Sequence, residues 1–121
     1  MDRKITLLYV DDEPLNLILF QSIFKKNFNV TTANSGEEGL KILTKNDGID
    51  TVISDMKMPG INGIEFIRRA KEKYPKINYF ILTGFDITDE IADALRTELI
   101  SGYFSKPINK KEIENAISES V

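Results

Sequence analysis

Ile5-Thr6-Leu7-Leu8-Tyr9-Val10-Asp11-Asp12-Glu13 decides how the rest of this chain is read. An apolar run long enough for a buried strand ends abruptly in three consecutive carboxylates. The pattern recurs downstream. Thr51-Val52-Ile53-Ser54 ends in Asp55, Tyr79-Phe80-Ile81-Leu82 ends in Thr83, and Gly102-Tyr103-Phe104-Ser105 ends in Lys106-Pro107. Acid pair, acid, hydroxyl and lysine thus follow the carboxyl ends of successive strands. In an open parallel sheet those ends lie along one edge, where ligands bind. Such an edge suits a divalent cation and a phosphoryl group.

Between the strands the pattern turns helical. The first strand, Ile5–Val10, leads into a helix from Pro14 to about Lys26, proline being tolerated in a first turn. A short strand follows at Asn29–Ala33. Ser35 with Glu38 reads as a capping box, opening a helix that ends before Gly48. After the strand at Thr51–Ser54 and a loop holding Pro59 and Gly60, a third helix runs from Gly63 to before Pro75. The spacing predicts a strand at Asn78–Leu82, a helix at Thr88–Leu99, a strand at Gly102–Ser105 and a last helix capped by Asn109. Alternating strands and helices imply a parallel sheet with helices on both faces. Right-handed crossovers make it an α/β doubly wound sheet, flavodoxin-like, with order 2-1-3-4-5. That order sets the tips of the first and third strands side by side, bringing Asp11, Asp12 and Asp55 into one pocket.

Composition narrows the chemistry. A chain of 121 residues fits one domain, expected to occupy 1–121. Its 41% apolar and 29% charged residues suit a globular protein. A net charge of −3 and no basic stripe argue against direct nucleic-acid binding. No run is long enough to span a membrane and no signal-peptide pattern is present, so the expected compartment is the cytoplasm. There is no cysteine and no histidine. That removes thiolate chemistry, His-ligated metals and the Ser-His-Asp triad. What remains is hard oxygen donors, which favour magnesium, calcium or manganese. Clustered carboxylates repel one another, and a divalent cation or Lys106 would relieve that repulsion. An aspartate can also attack phosphorus to give an aspartyl phosphate.

Together, Asp11-Asp12-Glu13, the run Asp55-Met56-Lys57-Met58-Pro59-Gly60-Ile61-Asn62-Gly63, Leu82-Thr83-Gly84 and Tyr103-Phe104-Ser105-Lys106-Pro107 resemble the receiver domain of bacterial two-component response regulators. The resemblance covers essentially the whole chain. It implies a signalling switch of a two-component phosphorelay, with Asp55 as phosphoacceptor. Asp12 and Asp55 would ligate Mg2+ directly, Asp11 through water, and Lys57 by its backbone carbonyl. Lys106 would pair with the phosphoryl group. Thr83 and Tyr103 would form a switch pair that alters the surface of the fourth helix, fifth strand and fifth helix. A cis bond is expected before Pro107. The chain would catalyse only its own phosphorylation and dephosphorylation. Its partners would be a histidine kinase or histidine phosphotransfer domain and an output partner.

Each residue alone has an ordinary explanation: an acid pair at a helix start, a turn aspartate, a strand-end hydroxyl, a solvated lysine, a core tyrosine. Their joint placement on one edge is what argues for a site. A phosphohydrolase of the haloacid dehalogenase type needs two acids one residue apart on the first strand, whereas here they are adjacent. A flavodoxin-like electron carrier needs a phosphate-cradling loop there, and Asp-Asp-Glu would repel the phosphate.

Some positions depart from the receiver pattern. Gly84 stands where alanine is usual, leaving room near the phosphoryl group. Phe85 and Lys57, each two residues past a site residue, are expected to restrict water and to add charge at the rim. Leu99-Ile100-Ser101 replaces a small-residue ending and puts the end of the fourth helix in question. The first helix carries Leu15, Leu17, Ile18, Leu19, Phe20, Ile23 and Phe24, more apolar surface than one buried stripe uses. With Phe20, Ile23 and Phe24 as the core set, some of Leu15, Ile18 and Leu19 must face outward. Such a patch beside the acids suggests docking of a helical partner.

Overall fold

In a computed structural model, residues 4–84 and 87–120 are described. Five strands, β1 (Thr6–Val10), β2 (Asn29–Ala33), β3 (Thr51–Asp55), β4 (Asn78–Thr83) and β5 (Gly102–Ser105), form one parallel sheet in the order β2-β1-β3-β4-β5. Between and after them come α1 (Pro14–Phe24), α2 (Gly36–Lys45), α3 (Gly63–Lys73), α4 (Asp89–Arg96) and α5 (Lys110–Ser120). This is the expected doubly wound sheet.

Strand alternation divides the core into two layers. Leu8, Val10, Val52 and Ile81 join Leu43 of α2, Ile64 and Ile67 of α3 and Ile91 of α4. Leu7, Tyr9, Ile53, Phe80, Leu82 and Phe104 join Phe20 and Phe24 of α1 and Ile113 and Ile117 of α5. Because β1 and β3 are covered on both sides, their sequences read as apolar runs rather than alternating ones.

Helix starts follow local chemistry. The side-chain oxygens of Ser35, Asn62, Thr88 and Asn109 each accept from the backbone N–H three residues on, at 3.0, 2.9, 3.2 and 3.0 Å. Glu38 reaches back to the N–H of Asn34, completing a variant of the capping box. α1 instead begins on Pro14, with no side-chain cap at Glu13.

Helix ends differ from expectation. α1 stops at Phe24 rather than Lys26, because the chain turns to bury Phe28. α4 stops at Arg96 rather than Leu99. Glu98 takes φ 62°, Leu99 N–H returns to Ala94 O at 2.8 Å, and Ser101 N–H reaches Tyr79 O at 2.7 Å. The cause is Ile100, which is buried and pulls the chain down to the sheet. Lys71 of α3 covers the turn by donating to the Glu98 and Leu99 carbonyls. β4 runs one residue further than expected and takes in Thr83. The Lys106–Pro107 peptide is cis.

α3 presses on the tip of β3. Gly63 N–H donates to Met56 O at 2.8 Å, and a Cβ on Gly63 would stand 2.3 Å from Asp55 O. Backbone cannot yield as a flexible side chain would. Gly63→Ala is therefore expected to destabilise the chain by about 1–3 kcal/mol, the usual range for forced overpacking, read as a lower urea midpoint at unchanged slope.

Candidate functional site

Parallel register delivers the site residues to one edge. Val10 pairs with Ser54, Asp55 with Leu82 and Thr83 with Ser105. Asp11, Asp55, Thr83 and Lys106 therefore emerge in order across the carboxyl ends of β1, β3, β4 and β5. Asp11 is anchored by its N–H to Ala33 O at 3.1 Å, and Lys106 by its N–H to Thr83 O at 2.8 Å.

Carboxylate oxygens of Asp11, Asp12 and Asp55 lie within 4.8 Å of one another. Asp11 is fully buried, Asp55 nearly so, and Asp12 half-buried. Lys106 Nζ stands 3.3 Å from Asp55 Oδ1 and 3.7 Å from Asp11 Oδ2. Asp55 Oδ1 also accepts from Met56 N–H at 3.0 Å. Burial pushes the Asp55 carboxyl above the ordinary carboxylate range; Lys106 opposes that shift and Asp11 adds to it. Crowded, oxygen-only and short of positive charge, this donor set fits a hard divalent cation that keeps part of its water shell.

The remaining expected residues fall into place differently. Thr83 is buried beside Lys106 at the tip of β4. Lys57 lies exposed in the β3–α3 loop. Tyr103 on β5 is 37% exposed, so its ring meets solvent. Leu15, Ile18 and Leu19 are 76%, 65% and 52% exposed, all three on the outer face of α1. Phe20 and Phe24 are buried as expected, while Ile23 is only partly buried against them. Gly84 leaves space: an added Cβ would make only ordinary contact, 3.7 Å from Lys106 Cδ. Phe85 lies outside the described residues.

Three contacts to Asp11 went unread in the sequence. Tyr9 Oη donates to Asp11 Oδ2 at 2.6 Å, and Asn16 Nδ2 donates to the same oxygen at 3.1 Å. Glu13 N–H donates to Asp11 Oδ1 at 3.0 Å. A signal existed for the first: Tyr9 shares a strand face with Asp11, and a buried tyrosine needs a partner for its hydroxyl. Burial and that hydrogen bond both raise the Tyr9 hydroxyl above its ordinary range, so it stays a donor.

The raised Asp55 carboxyl has a consequence for stability. Across the window between its unfolded and folded pKa values the folded chain binds more protons, so stability falls as pH rises through it. The cost is absent in acid and grows as pH rises above the ordinary carboxylate range. Without divalent ions, Asp55→Asn should therefore melt above the wild type at pH 7, each kcal/mol relieved being worth about 4 °C in a domain of this size. The advantage should vanish below the ordinary carboxylate range, near about pH 4. Melting curves of both proteins from acid to neutral pH check this, and coincident midpoints at pH 7 would contradict it.

Known proteins resemble this chain in sequence and fold. The profile of the response regulator receiver domain matches residues 7–118. The chain is 33% identical over 120 residues to sporulation initiation phosphotransferase F of Bacillus subtilis, covering 98% of this chain and 94% of that protein. It is 25% identical over 120 residues to the hydrogenase transcriptional regulatory protein HoxA of Cupriavidus necator, covering 99% of this chain but only 25% of that one. The chain thus spans about a quarter of the length of that regulator and of the transcriptional regulatory protein GlrR of Escherichia coli (26%). A response regulator receiver domain protein from Clostridium thermocellum superposes with a TM-score of 0.85 at 32% identity, over 96% of this chain and 93% of that one. Response regulator TrrA from Thermotoga maritima, solved in complex with Mg2+ and BeF, superposes with a TM-score of 0.82 at 27% identity, over 97% and 99% of the two chains. Among the described residues no helix is long and apolar enough to cross a membrane. With its acid cluster, its 2-1-3-4-5 sheet and a profile match over nearly its full length, the chain belongs to the receiver domains of two-component response regulators, the phosphorylation-dependent signalling modules.

Proposed function

We propose that this chain, as one receiver unit over 1–121, takes a phosphoryl group onto Asp55 from a phosphohistidine of a histidine kinase or phosphotransfer protein. The supporting observation is the gathering of three carboxylates within 4.8 Å with Lys106 Nζ 3.3 Å from Asp55. A relative named as a phosphotransferase fits a relay role.

Asp55 Oδ1 is engaged by Met56 N–H and Lys106, which leaves Oδ2 as the oxygen not held by these two donors. A lone pair of that oxygen forms the new bond to phosphorus. The bond from phosphorus to the donor's imidazole nitrogen breaks, and the imidazole keeps the electron pair. Asp12 and Asp55 would hold Mg2+ directly, Asp11 through water, and the Lys57 carbonyl would complete the protein's share. When bound, Mg2+ neutralises charge on the phosphoryl oxygens. Lys106 moves its ammonium from the acids to a phosphoryl oxygen, and Thr83 donates its hydroxyl to another. Tyr103 then turns inward behind Thr83 and reshapes the surface of α4, β5 and α5. The phosphoryl group drives this only as far as it prefers the inward arrangement over the outward one.

The chain turns over no external substrate and acts through protein partners in the cytoplasm, without contact to nucleic acid or membrane. Leu15, Ile18 and Leu19 form the docking face for helices of the phosphoryl donor, beside the acids.

Incubation with Mg2+ and acetyl phosphate should add one phosphoryl group by mass spectrometry, and Asp55→Asn should abolish it. Added mass that persists in the variant would place the acceptor elsewhere. Changing Leu15 and Ile18 together to serine should slow transfer from the partner by about tenfold, as loss of a docking hot spot does. The acetyl phosphate reaction should keep its rate. Equal slowing on both routes would refute the docking face.

A further inference from the structure

We propose that Tyr9, assisted by Asn16, is a positioning residue that keeps Lys106 off Asp11 and aims it at Asp55. This rests on the reading of Lys106 as the phosphoryl partner.

Lys106 has two carboxylates in reach, and nothing in simple charge attraction favours one of them. Each carboxylate oxygen offers about two good acceptor directions. On Asp11 Oδ2 both are taken, by Tyr9 Oη at 2.6 Å and Asn16 Nδ2 at 3.1 Å. Lys106 is left 3.7 Å away, beyond hydrogen-bond distance. At Asp55 Oδ1 it approaches to 3.3 Å. The other Asp11 oxygen accepts from Glu13 N–H.

The Tyr9 donor is held in place from behind. Its ring is fully buried and stacks on Phe20 with centroids 4.0 Å apart and planes 7° apart. Phe20 in turn packs on Phe24 at 4.5 Å. A ring clamped this way cannot swing its hydroxyl aside, so Asp11 stays satisfied whether Lys106 is near or gone. An ammonium bound tightly to Asp11 would have to break a charge-assisted hydrogen bond before serving a phosphoryl group. Here that bond is already given to neutral donors.

Tyr9→Phe keeps the stacked ring and removes only the hydroxyl; Asn16→Ala removes the second donor from a half-buried helix position. In metal-free protein, nuclear Overhauser contacts from the Lys106 side chain, identified by its loss in Lys106→Arg, report which aspartate it faces. Expected are contacts to Asp55 in the wild type and to Asp11 in Tyr9→Phe. Affinity for beryllofluoride at saturating Mg2+ should fall about fivefold, one ordinary hydrogen bond's worth, with little change in melting temperature. Should Tyr9→Phe not fold, Asn16→Ala carries the same comparison. Lys106 remaining at Asp55 in the variants overturns the proposal, whatever happens to stability or beryllofluoride binding. If Lys106 relocates but even the wild type fails to bind beryllofluoride, the positioning stands and the phosphoryl role of Lys106 falls.

Discussion

Three carboxylates forced together at the end of a sheet are the constraint from which the other features follow. Water cannot screen Asp11, which is fully buried, and Asp55 is nearly so. Their repulsion has to be met by donors built into the chain. The structure supplies Lys106 to both, Met56 N–H to Asp55, and Tyr9, Asn16 and Glu13 N–H to Asp11. Even so, burial leaves the Asp55 carboxyl holding its proton more tightly than an ordinary carboxylate. An edge kept short of positive charge in this way is primed for a cation, and on the proposed reading the same edge receives an anionic phosphoryl group. The fold reconciles the two demands by supplying acids from β1 and β3 and a lysine from the end of β5.

The two core layers connect that edge to distinct surfaces. β1 sends Tyr9 into the layer shared with α1 and α5, while Val10 enters the layer of α2, α3 and α4. Asp11 is consequently in touch with α1 twice, directly through Asn16 and indirectly through Tyr9 and Phe20. Each of those α1 residues directly follows an exposed leucine in sequence, Asn16 after Leu15 and Phe20 after Leu19. Acid cluster and outer face are thus parts of one packed unit.

Most of the architecture was legible because the strands advertise themselves. An apolar run that stops dead on an acid or a lysine marks both a strand and the end at which it surfaces. Helix starts were legible through Ser35, Asn109 and Pro14, whose roles are set within one turn. Helix ends were not. α4 ends where it does because Ile100 is claimed by the sheet; Leu99-Ile100-Ser101 put that end in question without fixing it at Arg96. At the site, charged and hydroxyl residues were legible from their positions at strand ends. Tyr9 was missed because, within an apolar strand, its ring counts as core, although it shares a strand face with Asp11 and its hydroxyl donates to it. Side-chain states such as the outward ring of Tyr103 are set by tertiary surroundings that no local pattern records.

The close seat of Gly63 against Asp55 O limits how such a site can vary. With the Asp55 peptide wedged beneath the following helix, its main chain has no slack to shift. If Asp55 carries the chemistry proposed for it, its rate would be adjusted from the rim, at places such as Lys57 or Gly84, where a new side chain finds open space. A transplant of this acid cluster into another sheet would have to carry that glycine along with the aspartates, or Asp55 would arrive misaligned.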